Sequence, residues 1–368
     1  MKKMVEEAFA AAGIRIGGDK PWDIVVHNED FYPRVVSELS MGLGESYMDG
    51  WWECERLDLA FERIYRADLQ TQKPTWSKRY YYLKSKLYNY QRKSRAFQVG
   101  ERHYDAGNDM YRSMLGKRMV YCSGYYDRGA TTLDQAEEDK LALICEKLDL
   151  QPGQRVLDIG CGWGSFAKYA AEKRNVEVVG ITVSKEQIAL AEELCAGLPI
   201  EFKLQDYRDI DGSYDHIVSI GMLGHVGHSN YRTLMEVAHR ALKDDGLFLI
   251  HTMGANRSTT AADPWINKYI FPNGMAPSVQ QLGGSIEELF VMEDWHNFST
   301  DYHRTAMAWA ENLEAHWDEI KSRYDERFYR MWKYYLLIFA SAFSARTLQT
   351  WDVVFSKQGG RPKYRSVR

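Results

Sequence analysis

Residues 156–164, VLDIGCGWG, constrain this chain more than any other stretch. A hydrophobic run ends at Asp158, and Gly160, Gly162 and Gly164 then lead straight into the helix-like SFAKYAAEK. That order reads as a buried strand that turns at once into a helix. Glycines let the backbone approach a ligand closely, and the helix N-terminus offers unpaired N–H groups. Gly-x-Gly-x-Gly alone does not name the ligand, because dinucleotide sites use the same logic with Gly-x-Gly-x-x-Gly spacing.

The flanking pattern extends the strand–helix reading. Strands are expected over 155–160, 177–182, 200–204, 214–220 and 247–252. Between them lie helix-like segments, KEQIALAEELCA (ended by Gly197) and YRTLMEVAHRAL among them. Thr132 with Gln135 and Ser184 with Gln187 fit capping boxes. Strands alternating with helices imply βαβ units, hence an α/β fold with a largely parallel sheet covered on both faces. A long irregular stretch is expected over 255–277, then a strand-like FVMEDWHNF, helices over about 302–318 and 324–345, and a last strand, TWDVVFSK. Residues 1–66 mix helix-like stretches with turn-rich ones such as MGLGESYMDGWWE, and the polar, proline-bearing 67–76 suits a boundary.

With 368 residues, 45% of them hydrophobic, the chain can form one large or two ordinary domains and is no disordered polymer. Its longest apolar stretch, 334–343, is far short of the ~20 residues of a membrane span. The acid-containing first residues make a poor signal peptide, so a cytoplasmic protein is expected. Five cysteines without a Cys-x-x-Cys pair argue against a zinc site or a disulfide framework, and no metal is expected. A net charge of −4 gives no case for nucleic acid. Residues 76–95, however, carry seven Lys/Arg and no acid, with tyrosines interleaved. On this segment alone three readings stand: the headgroup layer of an anionic membrane, RNA, or a solvated helix with a tyrosine-rich buried face.

Several long motifs then narrow the choice. GLGESYMDGWWEC (42–54), HYDAGND (103–109), LDIGCGWG (157–164), ITVSKEQ (181–187), LQDYRD (204–209), DPWINKYIFPNG (263–274) and MEDWHNF (292–298) occur in that order. Together they resemble the bacterial cyclopropane-fatty-acid synthase family, from about residue 20 to 357. The resemblance implies a class I S-adenosylmethionine (SAM) methyltransferase fold with a Rossmann-like, mostly parallel seven-stranded sheet. It also implies an N-terminal helical domain over 1–75, a basic aromatic linker with membrane contact over 76–100 and a catalytic domain over 101–368. The implied activity is transfer of the SAM methyl group to the cis double bond of a phospholipid acyl chain, which then closes to a cyclopropane. The implied setting is a homodimer bound peripherally at the inner membrane face.

The resemblance assigns SAM binding to Tyr104, Tyr121, Cys122, Asp158, Gly160, Gly162, Thr182, Gln187, Asp206 and Tyr207. Thr182 and Gln187 stand where most methyltransferases end the second strand with a ribose-binding acid, and Asp206 is the expected adenine-binding acid. The family's base is a bicarbonate held by a Glu, a His, a Tyr and backbone N–H groups. The His falls on His251, the Tyr on Tyr302, and the backbone donors on Ser123 and Met253. Two positions depart: Ser123 replaces a cysteine, and Gly224 replaces the glutamate. A thiol that the family carries near its C-terminal helix is also absent, with Phe339 in that region. Without the carboxylate, water could capture the cationic acyl chain and give a hydroxy-methyl chain. Other readings are a C-methyltransferase acting on a soluble unsaturated metabolite, or a non-catalytic SAM- or membrane-binding protein. Trp265, Tyr269 and Phe271 are expected to line the acyl pocket. His225 and His228 make a poor metal site, and Cys161 serves as a small loop residue.

Overall fold

The computed structural model describes residues 1–68, 107–360 and 363–368. The basic aromatic segment and Tyr104 lie outside the described residues. The N-terminal part runs α1 (Lys2–Ala11), β1 (Val25–Val26), α2 (Phe31–Glu38), α3 (Ser40–Met48), β2 (Trp52–Glu53) and α4 (Leu57–Arg66). Then follow α5 (Asn108–Met114), α6 (Leu133–Lys147), β3 (Arg155–Ile159), α7 (Ser165–Arg174), β4 (Glu177–Thr182), α8 (Lys185–Leu194), β5 (Ile200–Leu204) and β6 (Tyr214–Ile220). The rest comprises α9 (Leu223–Val226), α10 (Tyr231–Ala241), β7 (Leu242–Ala255), α11 (Pro264–Tyr269), α12 (Val279–Ile286), β8 (Phe290–Asn297), α13 (Ser299–Ile320), α14 (Glu326–Ser344) and β9 (Leu348–Lys357).

Among the described residues the main sheet has seven strands in the order β5-β4-β3-β6-β7-β9-β8. β5, β4, β3, β6 and β7 run parallel, and β9 inserts antiparallel between β7 and β8. Alternation along each strand feeds two cores. Leu157 and Ile159 of β3 pack on one face with Tyr231, Leu234 and Phe248, whereas Val156 packs on the other with Ile144, Phe166 and Val218.

The chain's two ends share a third core. Phe9, Trp52 and Phe61 cluster with Trp309, Trp332, Tyr334 and Phe343 of α13 and α14. Polar ties reinforce the contact: Ser341 Oγ donates to Asp58 O (2.7 Å), and Arg330 donates from Nε to Tyr47 O and from Nη1 to Glu53 Oε1 (both 2.6 Å).

Several local expectations need correction. MGLGESYM is helical (α3), because its glycines serve close packing: a Cβ on Gly44 would come within 2.5 Å of the Trp265 indole, and one on Gly42 would collide with Arg34 O. The stretch 255–277 holds a helix, α11, started by the Asp263 carboxylate, and α12 follows it, started by a full capping box from Ser278 and Gln281. The other two boxes are half formed. Thr132 and Ser184 accept from the N–H of Gln135 and Gln187, but the Gln135 carboxamide turns to Thr131 and that of Gln187 to Thr182. α8 stops at Leu194, before the left-handed Gly197.

Candidate active site

The strand order turns distant sequence positions into a row along the C-terminal edge of the parallel strands, where open α/β sheets bind ligands. Asp206 follows β5, Thr182 ends β4, Asp158 lies near the end of β3, Gly224 follows β6 and His251 lies on β7. Backbone bonds tie these tips together: Gly160 and Cys161 donate to Ile181 O (2.9 and 3.0 Å), and Gly221 donates to His251 O (2.9 Å).

One half of the row suits a cationic, extended ligand. Asp158 is buried, its Oδ1 has no hydrogen-bond partner, and burial pushes its carboxyl up to about 7 against the pull of the Lys140 ammonium. The Lys140 charge does not offset the burial, and Oδ1 is left to a donor from outside the chain. Gly160 and Gly162 both have positive φ, and a Cβ on Gly162 would meet nothing within 4 Å, so the loop leaves open space beside the acid. The ammonium-bearing, sulfonium-bearing SAM fits this donor set. Thr182 donates to the Gln187 carboxamide at 2.8 Å, which shapes the tip of β4 without a charge. Asp206 accepts from the Arg208 guanidinium (2.9 and 3.1 Å) and backbone N–H (2.9 Å), while the buried Tyr207 hydroxyl has no partner. Tyr121 lies edge-on to Tyr111, which also packs against Trp163.

The other half is buried and aromatic. Tyr302 on α13 stacks on Phe343 (centroids 4.6 Å apart) and meets Phe339 and Trp309 edge-on. Tyr121 faces Trp309, and its hydroxyl lies 3.2 Å from that of Tyr335. Ser123 spends its hydroxyl on Gly124 O (2.7 Å), while Gly124 N–H donates to Thr305 on α13, seating the loop beside Tyr302's helix. Met253 sits two residues after His251 on the same side of β7, and its Cε lies 3.9 Å from where a Gly224 Cβ would be. Trp265, expected in the acyl pocket, is buried against α3 and Tyr334 instead. Tyr269 hydrogen-bonds Glu45, whereas Phe271 packs on Tyr335. His225 is held neutral by burial, which lowers it to about 4, and packs edge-on to Phe271.

Sequence reasoning missed the polar network beneath these residues. Asp352, in the middle of β9, is directly paired with His251 in the β7–β9 register, and its Oδ1 lies 2.8 Å from His251 Nδ1. Lys140 is fully buried and reaches the Cys122 sulfur at 2.7 Å. Burial alone would raise that thiol, but Lys140 and His251 more than offset it and hold it down to about 7. Lys147, on the same helix, pairs with Asp294 at 2.6 Å, and Arg368 braces Asp294 from the other side. The signal was a lone acid inside the apolar strand TWDVVFSK.

Comparison with known proteins agrees with this geometry. A family model described as mycolic acid cyclopropane synthetase matches residues 91–353. The chain is 52% identical over 356 residues to the cyclopropane-fatty-acyl-phospholipid synthase of Escherichia coli K12, covering 96% of this chain and 93% of that one. A probable fatty acid methyltransferase of Pseudomonas putida is 35% identical, over 66% of this chain and 64% of its own length. Among solved structures, the cyclopropane synthase MmaA2 of Mycobacterium tuberculosis superposes with a TM-score of 0.67 at 28% identity, over 71% of this chain and 98% of that one. Mycolic acid cyclopropane synthase CmaA1, complexed with SAH and CTAB, gives the same TM-score at 30% identity and the same coverage. The fold is that of a class I SAM-dependent methyltransferase, and the chain belongs to the mycolic acid cyclopropane synthetase family.

Proposed function

We propose that this enzyme adds a methylene bridge across the cis double bond of an unsaturated phospholipid acyl chain, forming a cyclopropane. The observation that carries the reading is the meeting of two half-sites on one sheet edge. On one side stands Asp158, its buried Oδ1 unpaired, beside the open Gly162, and on the other the His251 imidazole, packed against Phe298. SAM, when bound, supplies an activated methyl group. An alkene that accepts it carries positive charge on the neighbouring carbon. The faces of Tyr302, Trp309 and Phe343 stabilise such a charge, by ~2 kcal/mol or more once water is gone. Burial of Tyr302, Trp309 and Phe343 excludes competing nucleophiles. Bicarbonate, the base that the family resemblance implies, would rest on His251, Tyr302 and the backbone at Ser123 and Met253. Its carboxylate partner is missing at Gly224, so the residues present supply only part of that cradle. Peripheral membrane binding through residues 76–100 and a homodimer complete the proposal.

The test is product analysis after incubation with SAM and vesicles of a cis-monounsaturated phospholipid. The expected product is heavier by one CH2, shows cyclopropyl protons in its NMR spectrum, and forms with release of S-adenosylhomocysteine. A chain heavier by CH2 plus one water would support a second reading, water capture. One observation favours it: a Cβ at Gly224 would meet only ordinary contacts, Met275 O at 3.5 Å and Met253 Cε at 3.9 Å, so the volume of a methyl group is unfilled there.

A further inference from the structure

We propose that Asn108 and Asp109 are positioning residues for SAM: they hold the Trp163 indole, and through it the glycine loop, in the shape that receives the cofactor. The inference rests on SAM as the methyl donor and not on the identity of the acyl chain. The loop itself explains the need. Gly160, Gly162 and Gly164 all have positive φ. Three glycines within five residues leave a loop with much backbone freedom to lose when it orders. Trp163 is the one bulky side chain among them, and it is only 3% exposed. A buried indole is the handle by which the rest of the chain can fix such a loop.

The structure shows what holds that handle. Trp163 Nε1 donates to Asn108 Oδ1 at 3.1 Å, and its rings pack on Tyr111 with centroids 4.9 Å apart. Both partners belong to α5, where Asn108 is the first residue. The chain enters α5 through Gly107, whose φ is +89°. A Cβ there would lie 2.6 Å from Asp109 Oδ1 and 2.8 Å from the Tyr324 hydroxyl, so this tight turn requires glycine.

Asp109 pins the turn from the other side. It accepts from the Tyr324 hydroxyl at 3.0 Å and from Arg323 Nη1 at 2.7 Å, both in the connection between α13 and α14. Tyr324 is itself stacked on Phe328, centroids 4.4 Å apart. At the far end of α5, Asn312 Nδ2 of α13 donates to Met114 O at 3.0 Å. Trp332 of α14 meets Tyr111 edge-on between the two. The helical pair α13–α14 thus grips α5 along its length, and α5 presents Asn108 to the loop. Two adjacent residues divide the work: Asn108 reaches the glycine loop, and Asp109 reaches a turn 214 residues later in the chain.

A loop already held in its binding shape has less to lose when the ligand arrives, so the brace raises affinity without touching the ligand. A contribution of that kind is equal in the ground and transition states. Its loss raises the KM for SAM and leaves kcat unchanged.

The test compares the full-length parent with Asn108→Ala, Trp163→Phe, their double variant, Asp109→Ala and Tyr324→Phe. SAM binding is measured by titration calorimetry without lipid. Each single variant should weaken SAM binding about three- to tenfold, the effect of one lost hydrogen bond. The double variant should bind SAM within about twofold of its weaker parent variant, because Asn108 acts through Trp163. With vesicles of a cis-monounsaturated phospholipid, the KM for SAM should rise by the same factor and kcat should stay within about twofold. Unchanged SAM affinity in Asn108→Ala, additive losses in the double variant, or a fall in kcat at constant affinity would overturn the inference. If Asn108→Ala or Asp109→Ala fails to fold, Trp163→Phe and Tyr324→Phe still decide, since each keeps an aromatic ring and deletes one donor. Absence of ring product from the parent would overturn the cyclopropanation reading alone, because the titrations need no lipid.

Discussion

Gly44 on α3 lies against the Trp265 indole so closely that a single added methyl group would sit 2.5 Å from the ring. Trp265 is 1% exposed and also packs edge-on against Tyr334 of α14, so it has nowhere to retreat. Gly44→Ala should therefore destabilise the protein by about 1–3 kcal/mol, despite the better helix propensity of alanine. Thermal or urea unfolding measures it, and a neutral or stabilising result would contradict the packing described.

Lys147 and Asp294 form a buried ion pair at 2.6 Å, with side chains 0% and 4% exposed. Asp294→Ala leaves the ammonium without its anion and also releases Arg368. A loss of about 3–5 kcal/mol in unfolding free energy is expected. Replacing both Lys147 and Asp294 with apolar residues of similar volume should cost much less, and equilibrium denaturation distinguishes the two cases.

Glu137 is fully buried, with one oxygen accepting from Gly116 N–H and the other unpaired. Burial pushes its carboxyl from 4.5 up to about 8. The folded state thus holds a proton that the unfolded chain gives up. The stability it contributes is complete below about 4.5 and is lost as pH rises through about 8. Glu137→Gln should raise the melting temperature at pH 8.5 relative to the parent and leave it little changed at pH 4.5, a contrast that calorimetry reads directly.

Asp158 offers a buried, unpaired oxygen beside the open Gly162. Asp158→Asn removes the charge and keeps the shape. SAM affinity should fall by at least about tenfold, as expected for a lost charge-assisted hydrogen bond. Calorimetric titration with SAM checks it, and unchanged affinity would remove Asp158 from the donor side.

Much of the sheet was legible because buried parallel strands leave apolar runs: the expected spans 177–182 and 214–220 coincide with β4 and β6, while 200–204 coincides with the partly exposed edge strand β5, whose IEFKL alternates instead. The glycine loop was legible for the same local reason. What stayed hidden depends on partners far away in the chain. α3 carries glycines at places where a distant surface decides the conformation, so composition alone suggested turns. Asp352 is meaningful only once β9 is known to lie beside β7, which brings it to a histidine 101 residues earlier. Lys140, within EEDKLALICEK, looks like a solvated helix position until its ammonium is found against Cys122.

The shared core of the two chain ends bears on how the protein is made. Phe9, Trp52 and Phe61 are synthesised early, but their packing partners on α14 begin only at Glu326. At roughly 5–20 residues per second, a ribosome needs on the order of ten seconds or more to deliver them. Throughout that interval the early aromatic surface stays uncovered, which makes the nascent N-terminal part a natural client for chaperones and places its final docking among the last events of folding.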